Sequence, residues 1–523
     1  DLHGRISNKS AVQAKIEMRA GSLWQKLETY AVSPAPAPSD VVFGLGQHAE
    51  PDAVRVLWPA GIVQAETTFP SSSRNIAINI TELDRKPSSC PYLYTWNGQR
   101  FEFVTDFMGG GEMGYLEEPG RYNKPDPVEY VRITGDQLKE KDGTYQIRVT
   151  NELEEALFVD QLRLLVVSHP QGTQIYPNEG MTNPPKPYKL FLTRNERPPL
   201  SVIDNSGNEV RDRIVTRDRR YVEDFKTDHI RGYAETHNLT LRLDHADKDR
   251  RPETTILLLT GWTDYAWSSD NVAASQARKE MVPPYLQVKD KRGTWRTIIK
   301  DFGFPVGRPQ TIALDLSGKF LSKNRDVRIV TNMRIYWDQI LVAASDTKPE
   351  INIAPLQAAR ALLLWRGFSD ETTPDGREPF GYDYDRVSFL SPWKAMTGYY
   401  TREGDVLPLL TASDDMFVIS RPGDEINLSF DARKLPQLPV GWTRTFLLYA
   451  DGFSKEMDLN SASPHHVEPL PFHGMSRYPY SWPEQYPLTA AREEYLKKYN
   501  TRFVSSPIPS TAKLIYFSAN EHR

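Results

Sequence analysis

Paired carboxylates and a loop of oxygen donors are the residues of this chain whose chemistry can be weighed, the oxygen-rich loop being the better prospect. Cleavage of a glycosidic bond needs two facing carboxyl groups. Asp383 and Asp385 flank Tyr384, and in an extended chain they share one face. Asp414-Asp415 and Glu154-Glu155 are further pairs. Among 68 acidic residues such pairs also arise by chance, and solvated surface charge is the competing reading. Asp204-Asn-Ser-Gly-Asn-Glu209 gathers oxygen donors around a glycine, as a hard cation requires, so calcium is the one cofactor the sequence suggests. The rest of an EF-hand loop is missing, and an Asx turn in a hairpin would use the same residues. His465-His466 follows Pro464; neighbours in an extended chain point apart, which disfavours a shared metal ion. Trp262, Tyr265 and Trp267 would suit either a sugar-stacking platform or core packing.

Nucleophile motifs are missing. The chain has no HExxH, GxSxG or GxxxxGK[ST] pattern. Gly44-Leu-Gly46 and Gly109-Gly-Gly111 lack the strand-to-helix context of a phosphate loop. Cys90 is the single cysteine, is followed by Pro91, and has no adjacent cation to favour a thiolate. It excludes an internal disulfide and zinc sites built on paired cysteines. No catalytic residue is assigned, and ligand-binding and metal-binding residues stay open. Four Asn-x-Ser/Thr sequons, at Asn8, Asn79, Asn238 and Asn427, are near the number chance gives.

The elements that would carry these residues are mostly strands. The 523 residues suggest about three or four domains. Hydrophobic residues at 39% allow a packed core, and 40 prolines with 11% aromatics argue against long helices and for strands. The formal charge of −4 comes with no basic stripe; Asp218 interrupts Arg217, Arg219 and Arg220. Nucleic acid is therefore a poor partner. No window approaches the ~20 apolar residues of a membrane helix.

Period-2 alternation predicts strands at 14–19, 54–58 and 75–80, with a stiff link at 34–38. Asn97-Gly98 between 92–96 and 100–104 predicts a hairpin with a type I′ turn. Residues 107–129, rich in Gly, Pro and acid, read as a long loop. Further strands are expected at 145–151 and 157–168. The 201–345 segment offers 240–243, 254–259, 285–289, 295–300, 311–315, 326–331 and 339–343, and 346–470 offers 358–365, 416–420, 425–430 and 445–450. Only 490–499 reads as a helix. The fold class is all-β with few short helices, in several domains: 1–82, 83–200, 201–345, 346–470 and a C-terminal extension 471–523. The third and fourth are expected as two successive sandwiches or jelly rolls, packed together and divided near 346–350. Strands 254–259 and 445–450, the least polar, should lie inside their sheets. Trp58 and Phe43 should be buried.

Gly4-Arg-Ile-Ser-Asn8, Ala14-Lys-Ile-Glu-Met-Arg-Ala-Gly21, Phe43-Gly-Leu-Gly46 and Val54-Arg-Val-Leu-Trp-Pro-Ala-Gly-Ile-Val-Gln64 carry a resemblance. Residues 1–82 resemble the ASPIC/UnbV domain of the cartilage acidic protein family. That resemblance implies an exported protein in which FG-GAP repeats, forming a propeller, precede residue 1. The remainder is similar to the C-terminal region of large bacterial proteins with such propellers, through Cys90-Pro-Tyr-Leu-Tyr-Thr-Trp-Asn-Gly98, Gly261-Trp-Thr-Asp-Tyr265 and Phe446-Leu-Leu-Tyr-Ala-Asp-Gly452. It implies no catalytic residues. The expected function is thus a non-catalytic, exported accessory protein, periplasmic, outer-envelope or extracellular, presenting β surfaces to a protein or glycan partner. Two alternatives stand beside it: a structural subunit of a large envelope or extracellular assembly, and a carbohydrate-active hydrolase.

Overall fold

The computed structural model describes residues 1–4, 7–29, 41–59, 63–66, 69, 77–82, 88–89, 91–243, 254–345, 350–389, 393, 395–458 and 460–505. Cys90, the 34–38 link and most of the 346–350 boundary lie outside the described residues. The chain is mainly β and divides into two compact units, one formed by residues 1–86 with 505–523 and one by 87–504.

In the first unit, an antiparallel sheet runs in the order Leu23–Glu28, Lys15–Ala20, Ala53–Leu57, Val63–Glu66. Leu2–His3 pairs in parallel with Ile80–Thr81. Ile16, Met18, Val54 and Val56 meet Leu2, Ala14 and Trp58 in one core. Trp58 is 1% exposed and its indole Nε1 donates to Gln64 Oε1 at 2.9 Å. Phe43 departs from expectation: it lies in a loop and is only half-buried, because no strand partner holds it against the core. The described part of 75–80 forms strand only at its last residue, Ile80.

The second unit contains two sandwiches. In the first, one sheet runs Val128–Ile133, Trp442–Glu456, Glu155–Pro170, Asn352–Gln357, with Val418–Ser420 also on Glu155–Pro170. The facing sheet runs Gly404–Asp405, Arg360–Trp365, Asp424–Asp431, Thr144–Thr150, Tyr92–Trp96, Phe101–Asp106, with Glu140–Lys141 on Thr144–Thr150. Leu162, Leu164 and Leu448 meet Ile147, Ile426 and Leu428 between them. The outer face of the first sheet is also covered. Ala156 and Phe158, alternating with Leu157 and Val159, pack with Phe417 and Phe453 against Val467, Leu470 and Tyr478. Period-2 alternation here buries both faces of one strand.

The second sandwich faces Gln174–Pro177, Leu190–Arg197, Ile335–Ser345, Ile256–Thr263, Gln310–Asp315 against Ser201–Ile203, Tyr233–Arg242, Asp326–Met333, Tyr285–Lys289, Trp295–Ile299. Its core joins Leu257, Leu259 and Ile340 to Leu241, Leu286 and Ile329. Both least-polar strands, Ile256–Thr263 and Trp442–Glu456, lie inside their sheets.

The linear division into 83–200, 201–345 and 346–470 does not match these pairings. Strands from 92–170 and 352–456 share both sheets of one sandwich, and 174–345 is inserted into it. Alternation locates a strand but not its hydrogen-bonding partner, so a strand 200 residues away looks no different from a neighbour. Three local corrections accompany this. The hairpin loop spans residues 97–100, closed by Asn97 Oδ1 accepting from the Gln99 and Arg100 amides, and of these four only Gly98 takes positive φ. Residues 107–129 are not loop throughout: they hold a short turn of helix, Gly109–Gly111, and the hairpin Leu116–Glu118 with Arg121–Tyr122. A second helix, Ser268–Gln276, joins the expected one at Ala490–Lys498.

The sandwiches are tied together by Arg308, which is fully buried. Its guanidinium donates to Glu378 Oε2 at 2.9 Å, Tyr382 Oη at 2.8 Å and Ser88 Oγ at 3.3 Å, and its backbone amide to Asp106 Oδ1 at 3.3 Å. A second tie is the Ser268 hydroxyl, which donates to Glu456 Oε1 at 3.0 Å and accepts from the Leu116 amide at 3.0 Å.

Candidate functional site

Where the two sandwiches meet, a cleft of about 210 Å³ opens between the 109–130 segment, the 178–188 loop and residues Val306 and Gln310. Its walls are fixed locally. The glycine run earlier weighed as a phosphate loop has a packing role: a Cβ at Gly109 would stand 2.5 Å from Val306 Cγ1, and one at Gly111 2.7 Å from the Gly452 carbonyl oxygen. The 178–188 loop is closed by Asn178, whose Nδ2 donates to the Pro187 carbonyl at 2.9 Å and whose Oδ1 accepts from the Lys189 amide at 2.5 Å.

Four carboxyl groups line this cleft, Glu117, Asp126, Glu129 and Glu179, with Lys124 and Lys186 beside them. Glu129 Oε2 accepts from the Met108 amide at 2.5 Å, and Oε1 from Gln310 Nε2 at 3.4 Å. Burial pushes its pKa up to about 8, with the charges of Asp106 and Asp126 adding to the effect. Glu179 Oε1 accepts from the Tyr130 amide at 3.3 Å. Its pKa is driven well above the usual carboxylate range, first by burial and then by Glu129. Asp126, also lining the cleft, is raised by burial as well. Glu129 and Glu179 thus keep a proton to higher pH than an ordinary carboxylate, and a protonated carboxyl can both donate and accept. Tyr130 and Tyr188 stack with ring centroids 3.8 Å apart and 25° between planes, and Tyr188 is 43% exposed. Carboxyl groups biased toward the protonated form, side-chain amides and an open aromatic face suit a ligand rich in hydroxyl groups.

The residues singled out from sequence lie elsewhere. Asp383 and Asp385 sit on the hairpin strand Gly381–Ser388, where the Asp385 amide donates to Asp383 Oδ1 at 3.1 Å, and Asp385 is exposed. Trp262 and Tyr265 are buried, Trp262 stacked on Tyr336 at 4.4 Å, so they form part of the packing and not an open platform. Asp204 Oδ1 accepts from the Ser206 and Asn208 amides at 3.0 and 2.8 Å, the geometry of an Asx turn. His465 and His466 contribute backbone carbonyls, to the Thr397 amide and to Lys455 Nζ. Glu155 is buried.

Asp415 alone of the sequence-level pairs enters a cluster of ligating groups. Asp160, Asp415 and His473 place one donor atom each within 4.8 Å of one another, and among the described residues no other group of three His, Cys, Asp or Glu does so.

Comparison with known proteins bears on the first unit. Residues 4–83 match the family described as ASPIC and UnbV. Those residues are an ASPIC/UnbV domain. The domain holds the sheet of four strands and buried Trp58 described above. No curated protein matches the chain. Two solved structures share 8% identity with it. The Sulfolobus turreted icosahedral virus structure covers 64% of this chain and 91% of its own at a TM-score of 0.09. The N-terminal domain of a Streptococcus gordonii adhesin covers 69% and 91% at 0.08.

Proposed function

We propose that this chain is a non-catalytic accessory protein of an exported, propeller-bearing assembly, and that it binds a glycan in the cleft between its two sandwiches. The observation that carries this reading is that Glu129 and Glu179, both biased by burial toward the protonated form, line one cleft with the exposed ring of Tyr188. Sugar hydroxyls need partners that both donate and accept, and a sugar ring buries its C–H face on an aromatic side chain. The ASPIC/UnbV domain at 4–83 supports the accessory setting. Hydrolysis by the acid–base route asks one carboxyl of a pair to be ionised while the other is protonated. Glu129 and Glu179 are both raised, which favours binding over cleavage.

The test is a screen of the purified chain on a panel of neutral and acidic oligosaccharides, followed by calorimetry on any hit. A neutral oligosaccharide should bind, at least tenfold more weakly in Tyr188→Ala, and more weakly above pH 8, where Glu129 loses its proton. Failure of the whole panel would remove the glycan reading. Turnover of a bound oligosaccharide that disappears in Glu129→Gln would replace it with the hydrolase reading.

A further inference from the structure

Asp160, Asp415 and His473 come from three separate parts of the second unit. Asp160 lies on the long strand Glu155–Pro170, Asp415 precedes Val418–Ser420, and His473 belongs to the C-terminal segment. His473 Nδ1 lies 2.7 Å from Asp415 Oδ1 and 3.6 Å from Asp160 Oδ2. On the opposite edge of the ring, Nε2 lies 2.7 Å from Asp451 Oδ1, and Asp451 is buried. Without an ion both nitrogens stand at hydrogen-bond distance from a carboxylate, as in an imidazolium; with an ion on Nδ1, the proton kept on Nε2 would be directed at Asp451. A carboxylate behind a histidine, with further carboxylates in front of it, is how proteins orient imidazole toward a metal ion.

Two further observations are independent of this alignment. Asp160 is fully buried; its Oδ2, the oxygen near His473, accepts from the Asp415 amide at 2.9 Å, while its Oδ1 receives no hydrogen bond. A buried carboxylate oxygen without a donor is costly, and a cation removes that cost. Carboxyl groups also crowd the site: Asp160, Asp414, Asp415 and Asp451 meet two cationic partners, Arg492, which donates to Asp415 Oδ2 at 2.6 Å, and His473 itself.

We propose that Asp160, Asp415 and His473 bind a divalent transition-metal ion of the zinc type. One imidazole nitrogen and carboxylate oxygens suit zinc better than calcium, which takes oxygen ligands alone. The ion would join the C-terminal segment to the sandwich, since His473 comes from one and Asp160 from the other. The competing arrangement needs no metal: an imidazolium bridging Asp415 and Asp451.

The full chain is stripped with a chelator and dialysed against zinc, and bound metal is measured by elemental analysis. One zinc per chain is expected. Asp160→Asn with His473→Gln should lose it, and Asp451→Asn should weaken it roughly 10–100-fold without changing the stoichiometry. Zinc should also slow proteolysis within 471–505 in the parent chain. No retained zinc in the parent chain, or equal retention by the double variant, overturns the proposal. Tighter binding of calcium than of zinc overturns the assignment of the ion. The oligosaccharide screen does not depend on these residues, so the two readings fail separately.

Discussion

Replacing Arg308 with Met tests how the two sandwiches are held together. The guanidinium is fully buried and serves Glu378, Tyr382 and Ser88, with Asp106 close behind it. Met fills most of the volume but supplies neither charge nor donors. Removing one partner of a buried charge network costs about 3–5 kcal/mol, because the other charge stays behind uncompensated. Two charges are left behind: Glu378, which is partly exposed, and Asp106, which is fully buried and whose pKa burial pushes up to about 6 even while Arg308 pulls it down. The cost should therefore depend on pH. At pH 8 Asp106 is ionised in the parent, and the full loss is expected. At pH 5 it is protonated, and what remains is the loss of hydrogen bonds, about 1–3 kcal/mol. Urea unfolding at both pH values, followed by tryptophan fluorescence, gives the comparison. The cycle with Asp106→Asn isolates the coupling, which should favour the parent pair by about 0.5–3 kcal/mol. A loss under 1 kcal/mol, or one that is equal at pH 5 and pH 8, would show that Arg308 fills space and does not balance charge.

Two further outcomes are expected. Trp58→Ala should destabilise the ASPIC/UnbV domain by about 3–5 kcal/mol, since Trp58 is 1% exposed; Trp58→Phe, which keeps one aromatic ring but loses the pyrrole part of the indole and the bond to buried Gln64, should cost less, about 1–3 kcal/mol, in the same thermal melt. Glu112 is pushed well above its ordinary pKa of 4.5 by burial and then by Glu456. The folded state thus holds that proton more tightly than the unfolded state. The stability it contributes is complete below the ordinary value and is lost as pH rises through the raised one. Melting temperature of the second unit should fall with rising pH, and Glu112→Gln should flatten that slope; an unchanged slope in the variant would place the dependence elsewhere.

Much of the strand inventory was legible because it rests on local alternation. Tyr285–Lys289 occupies the expected residues, and Trp58 is buried as its strand requires. Asn97-Gly98 misled because the Asn97 side chain closes the loop itself and makes a two-residue turn unnecessary. The helix Ser268–Gln276 was missed because Ser and Asn dilute its amphipathic pattern; the readable signal was Asp270, whose carboxylate accepts from the Trp267 amide at 2.9 Å. Glu129 was hidden by the Gly- and Pro-rich stretch before it. Buried Val131 and Ile133, alternating with Tyr130 and Arg132, would have revealed its strand. His473 had no motif to announce it. Asp160 and Asp415 reach it only because the Glu155–Pro170 strand pairs with strands hundreds of residues away.

The insertion explains why the cleft lies where it does. Glu155–Pro170 leads out of the first sandwich and Asn352–Gln357 leads back, and the two are paired from Arg163 with Gln357 to Ser168 with Asn352. The inserted sandwich therefore hangs from two adjacent strands of one sheet. Such an attachment alone would let it swing. Arg308 on one side, and Ser268 with Asn271 against Leu116 on the other, close off that motion. Both locks touch the segments that wall the cleft: Arg308 follows Val306, and Leu116 lies between Gly109 and Asn123. The spacing between the two sandwiches is thus set by buried polar contacts, and the cleft is preformed. If a ligand had to close the cleft, loosening the Arg308 lock would leave affinity unchanged or raise it. With a preformed cleft, Arg308→Met should weaken oligosaccharide binding although Arg308 does not line the cleft.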